Sequence, residues 1–415
     1  MKNIDSKKRL DFLSTVKSIE AQKIINSYQV EIEKEFVNLE DACGRILADD
    51  FFSPEDFPYF DRSLVDGYAI LSKNSQGASE TNPVMLYKKG NVKVGEVPEV
   101  SVREGECVYL STGALIPEGA DSVIMQEYAR EAGTIVEVLR PVYRGENVMK
   151  KGEDIKKGEL LFRRGRRISP FDAGTFAALG VTRIAVFRRP VVGVLSTGDE
   201  IILPGEKATH GKVRDINRYV IMSLFNRLGG IVKDSGIAKD DIDEVIAKLY
   251  LLKDSDLLII SGGSSKGERD LIVEAVKRVG GKILFHGVNI KPGKPFFYAS
   301  VWGKPLFGLP GHPLSCAIIL HRFVLPLFLK IVGCENQRPR KVLGELTNNV
   351  PSSYGVEEYV NVKVRNDGKR VLVDPLFAKS AAISVFSISS GYIVVDEARE
   401  GFEEGEEVEV FLYEL

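Results

Sequence analysis

Two lysines, Lys291 and Lys294, flank a Pro292-Gly293 turn in the segment IKPGKP. Proline presets its own φ and glycine supplies conformations that other residues avoid, so the turn is stiff and should hold both ammonium groups on one short arc, suited to an oxyanion. Two more segments carry complementary groups. In SGGSSKGERD, which starts at Ser261, the glycines Gly262, Gly263 and Gly267 allow backbone amides to converge on an anion, Ser264 and Ser265 add hydroxyl donors, and Lys266 adds a full charge. The helix expected to follow offers its positive end. In GLPGHP, the residues Pro310, Gly311, His312 and Pro313 make a second Pro-Gly turn that runs straight into an apolar, helix-like segment. Each piece taken singly is also ordinary turn chemistry: Pro313 is the favoured first residue of a helix, and His312 can contact a ligand or only cap that helix. Together they favour a site for a phosphate or a related oxyanion.

Carboxylates accompany this positive lining. Asp199, Glu200, Asp215, Asp240, Asp241 and Asp270 fall in or beside the same turns, and oxygen ligands of this kind suit Mg²⁺ bridged to phosphate oxygens. Asp199, Glu200 and Asp270 are the favoured metal-side residues. Asp240 and Asp241 sit where a helix should begin, so at least one is expected to be an N-cap. Other chemistries fail on spacing. VVGVLSTGDE lacks the G-x-G-x-x-G of a dinucleotide fold, and GEKATHGK is one residue too long for a phosphate-binding P-loop, with Val213 in place of its Ser or Thr. The four histidines are scattered and no G-x-S-x-G elbow occurs, so neither a zinc site nor a serine hydrolase is supported.

The elements that must position these groups alternate along residues 187–335. RPVVGVLSTGDEI reads as a buried strand ending in a polar turn, NRYVIMSLFNRLGG as a helix, GIVKDSGI as a strand and DDIDEVIAKLYLL as a helix. DLLIISGG, a helix to about Val279, KILFHGV, a hairpin around Trp302-Gly303 and a long helix from Pro313 complete the segment. Such alternation predicts a parallel sheet covered on both faces, and ligands of open parallel sheets gather at the carboxyl ends of the strands. Residues 7–45 read as helices, with Leu10, Phe12, Leu13, Val16 and Ile19 on one face. Short runs of Val, Ile, Tyr and Leu between Gly, Pro and Asn turns make residues 57–150 a β domain, while residues 151–186 are expected to rejoin residues 1–56 as one discontinuous helical domain. Residues 336–415 suggest a small β-barrel or sandwich.

Composition sets the outer limits. A chain of 415 residues exceeds one compact core. Its 56 Lys+Arg against 58 Asp+Glu leave a net charge of -2, with 44% hydrophobic residues, so neither a nucleic-acid nor a membrane binder is suggested. The four cysteines are widely spaced with no C-x-x-C pair, and a reducing cytoplasm is the simplest home. No signal peptide is expected, nor any run of about 18 apolar residues able to span a bilayer.

The motifs FDRSLVDGYAI, STGALIPEGADSVIMQE, GENVMKKGEDI, STGDEI, DINRYVI, SGGSSKGERD, IKPGKP, GLPGHPLS and the ending EGFEEGEEVEVFLYEL occur in the order found in the molybdopterin molybdenumtransferase family, the MoeA proteins and the E domain of gephyrin, which the chain resembles over nearly its whole length. The resemblance implies a homodimer of four-domain subunits whose α/β domain is like that of the molybdopterin adenylyltransferases, with a C-terminal β-barrel. It implies binding of adenylylated molybdopterin, insertion of molybdate or tungstate with release of AMP, use of Mg²⁺, and an upstream molybdopterin adenylyltransferase as a possible partner. Carried over by motif, Asp66, Thr112, Asp154, Glu200, Asp241 and Asp270 are the implied functional positions, with Lys291 and Lys294 as anion binders.

The chain departs from the family pattern at several places. Arg62, Leu64 and Val65 stand in FDRSLVDGYA where the common form is FDNSAMDGYA, Lys266 replaces a Val, and His312 replaces an Asn. In the last domain Val356 and Asn361 occupy the apparent positions of two arginines. These changes remove positive charge from one wall and add it elsewhere, which leaves the choice of oxyanion open. They also leave open an alternative reading: a carrier or scaffold that binds the pterin without turnover.

Overall fold

The protein's structure is a computed structural model. It describes residues 15–31, 33–262, 266–334, 340–379 and 381–413, and at residues 266–270 and 386 the backbone alone. The chain divides into two compact units. One comprises the described residues of 1–36, 44–48 and 185–415; the other comprises 37–43 and 49–184.

The first unit is built on a six-stranded sheet in the order Ile231–Ala238, Val191–Thr197, Leu257–Gly262, Lys304–Leu309, Phe297–Val301, Lys282–His286. The strands Val191–Thr197 and Leu257–Gly262 are buried almost throughout, as strands covered on both faces must be. Alternate residues serve opposite faces. Val192, Val194, Leu257 and Ile259 pack with Ile221 and Phe225 of the helix Asn217–Arg227. Leu195, Leu258 and Ile260 pack with Val245 and Leu249 of the helix Ile242–Leu251 and with Ile272 and Val276 of the helix Lys266–Arg278. The sheet is parallel apart from Phe297–Val301. The expected hairpin is the reason: the two-residue turn Trp302-Gly303, with φ of 52° and 76°, can only reverse the chain, whereas a parallel neighbour needs a crossover.

The helix expected from Pro313 runs to Ile331 and contains one π-helical turn, Leu320–Val324. Pro326 has no N–H to donate back to the carbonyl of Arg322, which favours such a local widening. By length and apolarity alone Pro313–Ile331 meets the requirement for a membrane span, contrary to the expectation above, but 83% of the window is buried inside the protein. It is the core helix beneath the sheet.

Residues 341–412 of this unit form the expected C-terminal barrel. Strands Glu357–Asn366, Val371–Pro375, Lys341–Leu346, Glu407–Leu412 and Gly391–Val395 follow one another, and the first also pairs with the last, which closes the ring around Val350, Val362, Val373, Ile393 and Val410. A two-residue strand, Ile290–Lys291, joins the start of Glu357–Asn366 in parallel.

The second unit carries the expected β domain, a six-stranded sheet in the order Ser122–Met125, Gly67–Ile70, Glu106–Leu110, Val84–Val92, Ile135–Val138, Ala129–Ala132. The helical reading of residues 7–45 fails over much of its length. Residues 1–14, with Leu10, Phe12 and Leu13, lie outside the described residues, and Ile19 is 63% exposed while Ala21 and Ile25 are buried. One helix, Ser18–Asn26, forms, and then Lys34–Asn38 is a strand. That second stretch, KEFVN, has the aromatic and β-branched character that suits a pleat and no 3.6-residue stripe to bury.

Candidate functional site

The carboxyl ends of Val191–Thr197 and Leu257–Gly262 open into a cleft of about 330 Å³, lined by Ser196, Thr197, Glu200, Asp215, Asn217 and Ser261 together with Gly262 and the GLPGHP turn. The two strands are register partners to their last residues, with Thr197 opposite Gly262. Close approach there demands glycine. At Gly262 φ is +152°, and a Cβ would sit 2.2 Å from Thr197 Oγ1 and 2.3 Å from its carbonyl oxygen. At Gly198, φ is +144° and a Cβ would meet Glu200 Oε2 at 2.8 Å, so the Glu200 carboxylate lies over the bare backbone of the turn.

One side chain ties the floor of this cleft together. Asn217, the first residue of the helix Asn217–Arg227 and 6% exposed, donates from Nδ2 to Ser261 Oγ at 2.8 Å, to the Gly311 carbonyl at 3.0 Å and to the Pro310 carbonyl at 3.3 Å. A strand end and the GLPGHP turn, distant in sequence, are thereby held in register. The same floor has free hydrogen-bonding capacity. Ser196 Oγ, Thr197 Oγ1 and Asp215 Oδ2 are buried without a partner among the described residues, whereas Asp215 Oδ1 accepts the Arg218 N–H at 3.2 Å. Buried polar atoms are nearly always satisfied, so three orphans facing one cleft mark it as built for a polar ligand. Arg214 also lines the cleft, with its guanidinium donating to the carbonyls of Pro204 at 3.0 Å and Glu206 at 3.3 Å.

A second cleft, of about 460 Å³, is lined by Lys291, Gly293, Lys294, Pro310, Ser315 and Val356. His312 lines both clefts. The expected lysine arc is present, with a difference in its charge: Lys291 Nζ lies 2.8 Å from Glu358 Oε1, while Lys294 makes no ion pair among the described residues.

The sequence candidates therefore divide. Glu200, Ser261, Gly262, Gly311 and Pro313 come together in the first cleft, Lys291, Lys294 and Pro310 in the second, and His312 in both. Asp199 is occupied elsewhere: its Oδ1 accepts the Asp240 N–H at 3.2 Å and its carbonyl accepts Lys212 Nζ at 2.7 Å. Asp241 is the N-cap of Ile242–Leu251 and accepts the Glu244 N–H at 2.8 Å. Gly263 and Ser265 lie outside the described residues, as do the side chains of Lys266 and Asp270.

Asp66, Thr112 and Asp154 belong to the second unit. Asp66 precedes the strand Gly67–Ile70 and Thr112 follows its antiparallel neighbour Glu106–Leu110, so Asp66 Oδ1 accepts both the Thr112 N–H at 2.6 Å and its hydroxyl at 2.9 Å. These bonds, the backbone one first, hold the Asp66 carboxyl below the usual range. Asp154 donates its N–H to the Phe57 carbonyl at 3.2 Å.

Among the described residues no group of three or more His, Cys, Asp or Glu side chains is placed to hold a metal ion. Glu200 and Asp215 nevertheless share the first cleft, and Asp215 Oδ2 is unpartnered. That donor set fits Mg²⁺, which is commonly held by one or two carboxylates with the rest of its shell from water and substrate phosphate.

Sequence reasoning weighed Asp215 without favouring it, and missed Ser196, Thr197, Asn217 and Ser315. The polar end of a buried strand is a usable signal for Ser196 and Thr197. For Asn217 the only signal is a polar residue opening an apolar helix.

Comparison with known proteins identifies the family. Residues 16–180 match the MoeA N-terminal region (domain I and II), residues 193–330 the domain described as "Probable molybdopterin binding domain", and residues 344–413 the MoeA C-terminal region (domain IV). A Methanocaldococcus jannaschii protein named for molybdopterin biosynthesis is 36% identical over 386 residues, 91% of each chain. The molybdopterin molybdenumtransferase of Staphylococcus epidermidis is 31% identical over 399 residues, 95% of each chain. The crystal structure of the molybdopterin biosynthesis MoeA protein of Pyrococcus horikoshii superposes with a TM-score of 0.85 at 36% identity, covering 96% of this chain and 99% of that one. The chain is a member of the MoeA family of molybdopterin molybdenumtransferases.

Proposed function

We propose that this protein is an enzyme of molybdenum cofactor biosynthesis that transfers molybdate, or tungstate, onto adenylylated molybdopterin with release of AMP and with Mg²⁺ as cofactor. The observation that carries the reading is the pair of clefts meeting at His312: one floored by three unpartnered buried polar groups, one of them on Asp215, with Glu200 beside them, the other carrying the lysine arc. Two anions, a phosphorylated pterin and a metal oxyanion, need two such sites side by side.

In this reading Ser196, Thr197 and Ser261 orient the phosphorylated ligand, with Gly262, Gly263 and Ser265 supplying close backbone and hydroxyl approach, and Gly311 and Pro313 shape the wall. Lys291, Lys294, Ser315 and His312 hold the oxyanion. Glu200 and Asp215 would hold Mg²⁺ with Asp270, and such an ion would supply positive charge beside the ligand's phosphate. Asp241 contributes by fixing the start of its helix, and Asp66, Thr112 and Asp154, in the second unit, are functional positions by motif. Catalysis is then positioning plus electrostatics, and loss of one such charge typically costs a few kcal/mol of transition-state stabilisation, roughly a hundredfold in rate. The protein works as a homodimer in the cytoplasm, which its four cysteines, none of them in a disulfide, suit, and takes its substrate from the upstream molybdopterin adenylyltransferase.

The test is incubation of purified protein with adenylylated molybdopterin, Mg²⁺ and molybdate while AMP is followed. Binding without AMP release would sink the enzyme reading and favour a carrier. Asp270→Ala should abolish release with the fold intact, and an unaffected rate removes Asp270 from the site.

A further inference from the structure

Glu358 has no part in the binding roles above, yet it is fixed beside the lysine arc by the sheet itself. Ile290–Lys291 pairs in parallel with Glu357–Asn366, which puts Lys291 opposite Glu358. The acid is the anchored member of the ion pair and the base the free one. Glu358 is 13% exposed against 60% for Lys291, and its second oxygen accepts Ser352 Oγ at 2.8 Å. Lys291, which lines the cleft, can leave the carboxylate; the carboxylate, behind the lining, is held in place by Ser352. The neighbouring wall residue Val356 offers no charge to compensate.

We infer that Glu358 is a built-in competitor for the oxyanion and a determinant of its charge. It occupies Lys291 when the cleft is empty, and an incoming anion must draw the lysine away and then lie near a fixed negative charge. This rests on the reading of the lysine arc as the oxyanion site. A dianion such as molybdate or tungstate attracts Lys291 more strongly than a single carboxylate does, because Coulomb attraction scales with the product of the charges. A monoanion of the same tetrahedral shape has no such advantage. The fixed carboxylate also repels a dianion twice as strongly as a monoanion, so Glu358 lowers affinity for every anion and lowers it most for doubly charged ones. An ion pair with one exposed partner is weak, so the competition is a tuning device and removing it should change affinity by roughly three- to tenfold.

The experiment is equilibrium dialysis of the full chain against molybdate and against perrhenate, a tetrahedral monoanion, with metal determined on both sides of the membrane. Glu358→Gln keeps the acceptor for Ser352 and should bind molybdate roughly three- to tenfold more tightly, with a smaller proportional gain for perrhenate. In a Lys291→Gln background the same substitution should gain less. Should Glu358→Gln melt early, Glu358→Asp, whose shorter arm loosens the contact with Lys291, should also tighten molybdate binding. Wild-type binding that is lost in Lys294→Gln but unchanged or weakened in Glu358→Gln overturns this inference alone. No molybdate binding by the wild type, or binding indifferent to Lys294→Gln, overturns the reading of the arc and the inference with it.

Discussion

Replacing Asn217 by alanine removes the donor that serves Ser261 Oγ and the carbonyls of Pro310 and Gly311. Ser261 can turn its hydroxyl to another partner. The Pro310 carbonyl, in a buried residue, and the Gly311 carbonyl beside it cannot move without moving the turn. Leaving a buried acceptor unsatisfied costs about 1–3 kcal/mol, so two of them predict a loss of about 3 kcal/mol, with the small cavity left by the amide adding to it. In a unit of this size each kcal/mol moves the melting temperature by roughly 2–4 °C, and the expected drop is about 6–12 °C. Calorimetry measures it. Activity taken well below the new midpoint should show a raised KM for the pterin substrate, because the strand end and the GLPGHP turn lose their common anchor. Asn217→Asp should be worse than alanine, since it turns a carboxylate oxygen toward two carbonyl oxygens. A melting point within about 2 °C of wild type for the alanine variant, or an aspartate variant as stable as the parent, would refute the argument.

Gly262→Ala forces a Cβ to 2.3 Å from the Thr197 carbonyl, a contact that no rotamer relieves, and should destabilise by about 1–3 kcal/mol; a variant that melts like the parent would show that the strand ends separate freely. His321, buried against Tyr392, Tyr413 and Arg322, is held by burial at about 4 instead of 6.5. The unfolded chain therefore takes up the proton first as pH falls, and stability present above pH 6.5 is lost toward pH 4, by up to about 3 kcal/mol. His321→Gln should flatten this slope in denaturant titrations between those pH values, and an unchanged slope would assign the loss to other groups. Thr112→Val keeps the backbone donor to Asp66 and removes the hydroxyl one, so the Asp66 carboxyl should titrate closer to its ordinary value by NMR. A fixed value would mean that the hydroxyl bond does not form in solution.

What the amino-acid order determined by itself was local chemistry and its grouping. The alternation of buried strands with amphipathic helices along residues 187–335, the hairpin at Trp302-Gly303, the short strands at the end and the stiff lysine turn all depend on neighbours a few residues apart, and each was legible, whereas barrel was separated from sandwich only by the pairing of Glu357–Asn366 with Gly391–Val395. The direction of Phe297–Val301 was implicit in that hairpin, but the rule of alternation overrode it. KEFVN read as helix because tertiary pairing, and not any local stripe, decides a five-residue strand. Partnership between distant residues was decided by the tertiary structure alone. Asp199, Asp241 and Asp215 each give one oxygen to a backbone N–H, yet of the three Asp215 alone lines a cleft with its other oxygen buried and bare. Lys291 looked as free as Lys294 until a strand from the barrel put Glu358 beside it. Which charges remain available to a ligand depends on which are already satisfied, and that is settled only where separate stretches of chain meet.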